Sequence, residues 1–413
     1  MYDNIKNQPI INIGCLGSVS DGKSTLIEIL TGIKTQKHSN ELIRNITIKQ
    51  GYANMKIWET DNNNYITTAS NIELNNKLVN HISFVDCPGH QDLILTMLSS
   101  INLMNGAIVV IAVDQPISKK PQLYQHLAAT KIGKIDKLII CLNKIDLVEK
   151  YTLLTRKKEL DLLLEQLDIK PFIIIPTCFN KRLGINYLVK SIMTLFNPNN
   201  SDYQLSNNTN INEPFFRISR TFDINKPGTN YNNITGGVIG GSLLYGNLNI
   251  NDEIEIRPGI VNNIDNKITW QPIKTKILSI KTDDQNLDKV IPGGLIGLLT
   301  DIDPFYCKND NLSGNIVGLI DKLPEVYIEL ILNINIINMF DYIWKPNIND
   351  IITLQIGITS CNGKINNISN NIFNIQLFKP VCINNNQHII ICFIINKILR
   401  IVGDSYLDIT NIN

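Results

Sequence analysis

Gly17-Ser-Val-Ser-Asp-Gly-Lys-Ser24 fits the pattern G-x-x-x-x-G-K-[ST], a loop whose backbone N–H groups cradle phosphates. Its flanks decide the fold. Ile10-Ile-Asn-Ile-Gly14 is a short apolar run that reads as a buried strand, and Ser24-Thr-Leu-Ile-Glu-Ile-Leu30 opens a helix that closes at Gly32. A strand passing through a glycine-bearing turn into a helix aims several N–H groups and the positive end of the helix dipole at one spot. Gly17 and Gly22 let the backbone approach a phosphate with no Cβ in the way. Ser20, Asp21, Gly22, Lys23, Ser24 and Thr25 are therefore assigned to the nucleotide. Lys23 supplies a point charge for the outer phosphates, and the Ser24 hydroxyl suits Mg²⁺, which prefers hard oxygen ligands.

Three further segments follow at workable distances: Thr47, Asp86-Cys-Pro-Gly-His90 and Asn143-Lys-Ile-Asp146. Leu138-Ile-Ile-Cys-Leu142 reads as a strand, so Asn143, Lys144 and Asp146 fall at its C-terminal end, the ligand edge of a parallel sheet. A carboxylate there accepts from the N1–H and 2-amino groups of guanine. Adenine offers neither, and a site built on such a bond rejects the analogue lacking it by roughly 10⁴–10⁵. The other use of Asp146, capping the following turn, stays open. Asp86 ends the strand Ile82-Ser-Phe-Val-Asp86 near the expected metal, Gly89 can offer its N–H to the γ-phosphate, and His90 is the candidate to orient water. Of the five histidines, His81 and His126 read as surface or helix-face residues with no partner motif.

With these residues in place, the chain resembles a translational GTPase. More narrowly it resembles the gamma subunit of the heterotrimeric translation initiation factor 2 of eukaryotes and archaea. Asn40-Glu-Leu-Ile-Arg-Asn-Ile-Thr-Ile-Lys-Gln-Gly-Tyr-Ala-Asn54 is similar to that family's first switch, which implies that Thr47 closes on Mg²⁺ beside Ser24. Arg220-Thr-Phe-Asp-Ile-Asn-Lys-Pro-Gly228, Gly236-Gly-Val-Ile-Gly-Gly-Ser242, Glu255-Ile-Arg-Pro-Gly-Ile-Val261, Pro292-Gly-Gly-Leu-Ile-Gly297 and Ile302-Asp-Pro304 resemble the family's second domain. The resemblance implies GTP/GDP and Mg²⁺ as ligands and a GTPase activity resting on His90, Lys23 and Thr47. It further implies delivery of methionyl initiator tRNA to the small ribosomal subunit, with alpha and beta subunits attached. A GTPase-activating protein and a nucleotide exchange factor complete the partners.

The chain also departs from that family. Members often hold a cysteine-rich zinc knuckle before the Asp86 strand, but Trp58 to Leu78 contains no cysteine. The eight cysteines are scattered without a C-x-x-C pair, so no structural zinc is expected. Ser20 stands where many translational GTPases carry aspartate. The last guanine-reading element is Thr177-Cys178 after the strand Phe172-Ile-Ile-Ile-Pro176, where a backbone N–H is expected to meet the base oxygen.

The chain has 413 residues and a formal net charge of only +1, so any RNA surface is a local patch and not a whole-molecule field. Its longest apolar run, Ile389–Ile395, is far shorter than the roughly 20 residues of a spanning helix, and no signal peptide opens it. A cytoplasmic protein with no membrane contact is expected. Residues 1–200 alternate apolar strands with helical patterns such as 155–167 and 185–193, which predicts an α/β P-loop GTPase domain with a mostly parallel sheet. Residues 201–212 read as linker. Short strands between Gly, Pro and Asn turns then predict two β-barrel domains, 213–323 and 324–413, divided near Leu323-Pro324. Tyr52 either stacks on a tRNA base or packs at a domain boundary. Lys274, Lys276 and Lys281 either meet phosphate or line a solvated strand. No arginine is placed as a finger in cis, so unassisted hydrolysis is expected to be slow, on the order of 10⁻⁴ s⁻¹ as in small GTPases. Three alternatives remain: a selenocysteine-specific elongation factor, the GTPase subunit of sulfate adenylylation, and a nucleotide-holding scaffold without hydrolysis.

Overall fold

The structure, a computed structural model, describes residues 7–35, 51–61, 64–70, 76–197, 213–265, 267–282, 285–337 and 342–408. Two compact units divide the chain, Met1–Tyr203 and Gln204–Asn413.

The first unit runs β1 (Ile11–Leu16), α1 (Lys23–Thr31), β2 (Gly51–Glu59), β3 (Tyr65–Thr67), β4 (Lys77–Asp86), α2 (Ile94–Ile101), β5 (Gly106–Ala112), α3 (Pro121–Ile132), β6 (Leu138–Asn143), α4 (Lys150–Gln166), β7 (Ile173–Pro176) and α5 (Ile185–Leu195). Its strands form one seven-stranded sheet in the order β3-β2-β4-β1-β5-β6-β7. From β4 to β7 every pairing is parallel, while β2 runs antiparallel to β4 and β3 antiparallel to β2. Helices on the faces of a parallel sheet demand apolar strands on both sides. β5, Gly106-Ala-Ile-Val-Val-Ile-Ala112, meets that demand, with all seven residues buried. Its lack of alternation is why periodicity alone cannot tell such a run from a buried helix.

The chain passes from β1 to β4 on one side and then to β5 on the other, so order reverses at β1, where ligands of open α/β sheets bind. The register sets Cys15 beside Asp86 and Ala112 beside Asn143. The C-terminal ends of β1, β4, β5, β6 and β7 therefore share one edge. Beneath that edge Ile11, Ile13, Leu26, Leu30, Phe84 and Val110 belong to one buried cluster. α1 is bounded by glycines in the left-handed region, Gly22 at φ 108° and Gly32 at φ 76°, and the Gly32 N–H donates to the Glu28 carbonyl to close the last turn.

The second unit is all β. Its first part holds β8 (Phe215–Phe222), β9 (Val238–Tyr245), β10 (Leu248–Asn249), β11 (Glu253–Ile264), β12 (Lys267–Thr282), β13 (Gln285–Leu287), β14 (Lys289–Val290), β15 (Ile296–Thr300) and β16 (Ile316–Leu319). The sheet order β11-β16-β8-β9-β15-β12-β13 carries an extra pairing of β11 with β12, so the sheet curls into a barrel. The second part holds β17 (Val326–Asn333), β18 (Asn335–Ile336), β19 (Ile351–Ile356), β20 (Thr359–Ser369), β21 (Ile372–Cys382), β22 (His388–Ile395) and β23 (Ile398–Tyr406), ordered β17-β21-β20-β19-β22-β23-β18. β17 and β18 are one run of chain interrupted only at Ile334. That run pairs with β21 on one side and β23 on the other, which closes the second barrel. The fold is therefore a P-loop α/β domain followed by two β-barrels.

Leu323 and Pro324 lie between the two barrel sheets. Leu323 is buried with Phe215, Ile316 and Cys382, and the Arg257 guanidinium donates to the carbonyls of both residues. Residues 198–212, which include the expected linker, fall outside the described residues.

Candidate functional site

The glycine-bearing loop leaves β1 with Gly17 at φ 140° and reaches Gly22 through Ser20 at φ 64°. A Cβ on Gly17 would stand 2.2 Å from the Val110 carbonyl oxygen, so the neighbouring strand enforces glycine there. The Lys23 side chain is buried and donates from Nζ to the Ser18 carbonyl at 2.8 Å. Ser18 is buried as well, and its Oγ has no partner among the described residues. Ser20 and Thr25 are exposed.

Asp86, fully buried at the end of β4, receives two hydroxyls on Oδ2: Ser24 Oγ at 2.7 Å and Thr35 Oγ1 at 2.6 Å. Two hydroxyls and a carboxylate form a compact set of hard oxygens, the donor chemistry that Mg²⁺ prefers. Gly89 lies directly over the loop. A Cβ there would come within 2.6 Å of Lys23 Nζ and 2.7 Å of the Gly17 carbonyl. His90 is half-exposed, and its Nδ1 accepts from the Asp92 N–H at 3.3 Å. Thr47 lies outside the described residues.

The base-reading segments meet at the ends of β6 and β7. Asn143 is a buried bridge: Nδ2 donates to the Asp21 carbonyl at 2.9 Å, and Oδ1 accepts from the Phe179 N–H at 3.2 Å. Lys144, at φ 64°, reaches back to Asp114 at 3.1 Å. Asp146 is only partly exposed and pairs with Lys181 at 3.2 Å. A hydrogen bond from the Cys178 side chain, and then Lys181, hold its carboxyl below the usual range. Burial, and next the Asp146 carboxylate, push the Cys178 thiol up. The Thr177 N–H donates to the Leu142 carbonyl at 2.7 Å and the Cys178 N–H to the Leu183 carbonyl at 3.2 Å. Both amides are engaged within the protein. The Cys178 bond is the longer one, so it costs less to exchange for a base oxygen.

Two histidines need correction. His81 and His126 are buried, not on the surface. His126, on α3, accepts the Gly17 N–H on Nδ1 at 3.1 Å, and so supports the phosphate loop from beneath. Burial, and then the nearby Lys23 charge, lower its pKa to about 3, which keeps the ring neutral and able to accept. Sequence reasoning also missed Thr35, Ala112 and Lys120. Lys120 pairs with Asp21 at 2.5 Å, and the Ala112 N–H donates to the same carboxylate. None of these lies in a short motif, and each acts on a residue far away in the chain.

The model of the Elongation factor Tu GTP binding domain matches residues 8–198, and that of Initiation factor eIF2 gamma, C terminal, matches residues 325–407. The chain is 34% identical to eukaryotic translation initiation factor 2 subunit 3 of Drosophila melanogaster, over 97% of this chain and 88% of that protein. It is 35% identical to translation initiation factor 2 subunit gamma of Methanocaldococcus jannaschii, over 96% and 97% of the two chains. It is 34% identical to the Schizosaccharomyces pombe gamma subunit, over 97% and 94%. Among solved structures, a bacterial selenocysteine-specific elongation factor superposes with a TM-score of 0.72 at 21% identity, over 97% of this chain and 58% of that one. Elongation factor SelB of Methanococcus maripaludis, bound to a GTP analogue, gives 0.70 at 19% identity, covering 97% and 79%. At such identities these two structures speak for the fold alone. With the loop, the Asp86 cluster and the Asn143 bridge in place, and with relatives alike over nearly the whole length, the chain belongs to the translation initiation factor 2 gamma family and is a GTP-binding translational GTPase.

Proposed function

We propose that this chain carries methionyl initiator tRNA to the small ribosomal subunit in a GTP-dependent complex with alpha and beta subunits, and that GTP hydrolysis triggers release. The observation that carries the proposal is the extent of the likeness. It runs past the GTPase domain through 96–97% of the chain, including the gamma-specific C-terminal segment at 325–407. In the same proposal residues 1–200 bind nucleotide, 201–212 link, 213–323 and 324–413 are the two barrel domains, and the protein works in the cytoplasm. No helix among the described residues is long and apolar enough to cross a membrane.

In this reading Lys23 leaves the Ser18 carbonyl for the outer phosphates, and Gly22 to Thr25 offer their backbone N–H groups, while those of Gly17 and Ser18 stay with His126 and Asp21. Ser24, with Asp86 behind it and Thr47 from the first switch, would hold Mg²⁺, which when bound supplies positive charge beside the outer phosphates. Gly89 presents its N–H to the γ-phosphate, and His90 orients the attacking water. Asn143 fixes the base-reading loop to the phosphate loop, Lys144 packs against the base plane, and Asp146 accepts from guanine. The Thr177-Cys178 backbone completes the contact to the base oxygen. An activating protein and an exchange factor set the pace, because no arginine among the described residues is placed to assist.

The test is retention of labelled methionyl initiator tRNA by the purified chain with its alpha subunit, under GTP, GDP and with elongator methionyl-tRNA. GTP-dependent retention that prefers the initiator is the expected result. Tight GTP binding with no tRNA retained would move the assignment to the sulfate-pathway or scaffold reading.

A further inference from the structure

A loop built to receive a triphosphate carries a buried carboxylate of its own. Asp21 is 1% exposed, inside the phosphate-binding turn. Left uncompensated, a buried charge is costly, and here it would also repel the ligand. The structure compensates it fully. Lys120, 7% exposed, meets Asp21 Oδ1 at 2.5 Å, 99 residues away in the chain. The Ala112 N–H donates to the same oxygen at 3.1 Å, and the Ser18 N–H donates to Oδ2 at 2.8 Å. The Asp21 carbonyl accepts from Asn143, whose own side-chain oxygen accepts from the Phe179 N–H. Asp21 therefore ties the phosphate loop to the end of β5 and to both base-reading segments.

We propose that Lys120 is a positioning residue for nucleotide binding: its ammonium neutralises Asp21 and so lets one carboxylate brace the loop without opposing the phosphates. This rests on the guanine-nucleotide reading of the site. Lys120 itself touches no ligand in the proposal. Its Nζ belongs to a short segment, Lys120 preceding Pro121 at the start of α3, the same helix whose His126 holds Gly17. Two residues of that one stretch thus support the loop, one by charge and one by a hydrogen bond.

The signature is graded by ligand charge. A merely structural defect weakens every ligand alike, whereas an unneutralised carboxylate opposes each added phosphate. The experiment measures affinity of the full chain for GTP, GDP and guanosine in wild type, Lys120→Met and the double variant Asp21→Asn/Lys120→Met, with thermal midpoints alongside. Lys120→Met is expected to lose GTP affinity by about 30-fold, GDP by about tenfold and guanosine by less than about threefold, in line with charge–charge interaction near a protein surface. The double variant, which removes both charges and keeps one amide oxygen as acceptor, is expected to return most of the GTP affinity. Equal loss for all three ligands overturns the proposal. So does a double variant no better than Lys120→Met, in affinity or in folding. A wild-type chain that binds no guanine nucleotide would instead overturn the assignment of the site, a result separate from either.

Discussion

Asp146 and His126 show how single side chains are tuned here by their neighbours. The Asp146 carboxyl is held below its usual range by the Cys178 side chain and by Lys181, so it is ionised at neutral pH and ready to accept two guanine donors. Asp146→Asn replaces one acceptor by a donor. We expect GTP affinity to fall by about 10² or more while xanthosine triphosphate binding improves, since hydrogen-bonding sites discriminate strongly when a donor–acceptor pair is inverted. Competition between the two nucleotides on the variant measures it, and unchanged guanine preference would remove Asp146 from base reading. His126 works in the opposite sense, because it must stay neutral. Its pKa is about 3 in the folded chain against 6.5 unperturbed. Between those values the unfolded chain binds the extra proton, so the stability from neutral His126 is fully present above about pH 6.5 and is lost as pH falls toward 3. The slope is at most about 1.4 kcal/mol per pH unit. His126→Gln keeps an acceptor for the Gly17 N–H but does not titrate. Denaturant midpoints taken from pH 7 to 4 are expected to fall less steeply in that variant than in wild type.

At the scale of elements, the Val326–Ile336 run does two jobs. Its first part pairs with β21 through Leu330↔Ile375 and Leu332↔Phe373, and its last residues pair with β23 through Ile336↔Gly403. Ile334 sits at the changeover. It is 1% exposed within the barrel core, and its N–H donates to the Asn371 carbonyl at 3.0 Å. Truncating a buried isoleucine there removes core contacts at the point of closure. Ile334→Ala is expected to cost about 2–5 kcal/mol, read from urea unfolding of the full chain. Guanine-nucleotide affinity is expected to stay within about twofold of wild type, because the site lies wholly in the other unit. An element such as β5 is less exacting: every position is apolar and buried, so volume-conserving exchanges within it are tolerated.

For the molecule as a whole, legibility followed the range of the interactions. The phosphate loop, Asp86 and Asn143 to Asp146 were legible because their chemistry fixes residue type over a few positions and places them at strand ends. The two histidines read as surface or helix-face residues depend on what folds against them: His126 does lie on a helix, but it is buried and answers to Gly17, 109 positions away, and nothing near it in the chain says so. The Lys120–Asp21 pair escaped for the same reason. In the second unit, alternating strands and turn residues announced all-β structure. The two barrels were expected from that pattern, but which strands close them did not show, because pairings such as β8 with β16 join Phe216 to Val317, about a hundred residues apart. Predicted spans were also short: the strand expected at Ile82–Asp86 begins at Lys77, since it pairs with β2 from Lys77 onward and with β1 only over Ile82–Asp86. The helix expected from Thr155 begins at Lys150, where Tyr151 and Leu154 are exposed and no clean apolar stripe marks the first turn.

The closed ring of β17 to β23 has a consequence for recognition. An open sheet advertises unpaired N–H and C=O groups, and another polypeptide can bind by lying alongside as one more strand. This ring spends most of its strand backbone groups on itself, with the seam between β18 and β23 closed by two residue pairs. A companion protein approaching it must therefore grip side chains and turns, and its choice is written in residue identity. Extended peptides with generic backbone complementarity find little purchase at β19 to β22, each paired on both sides.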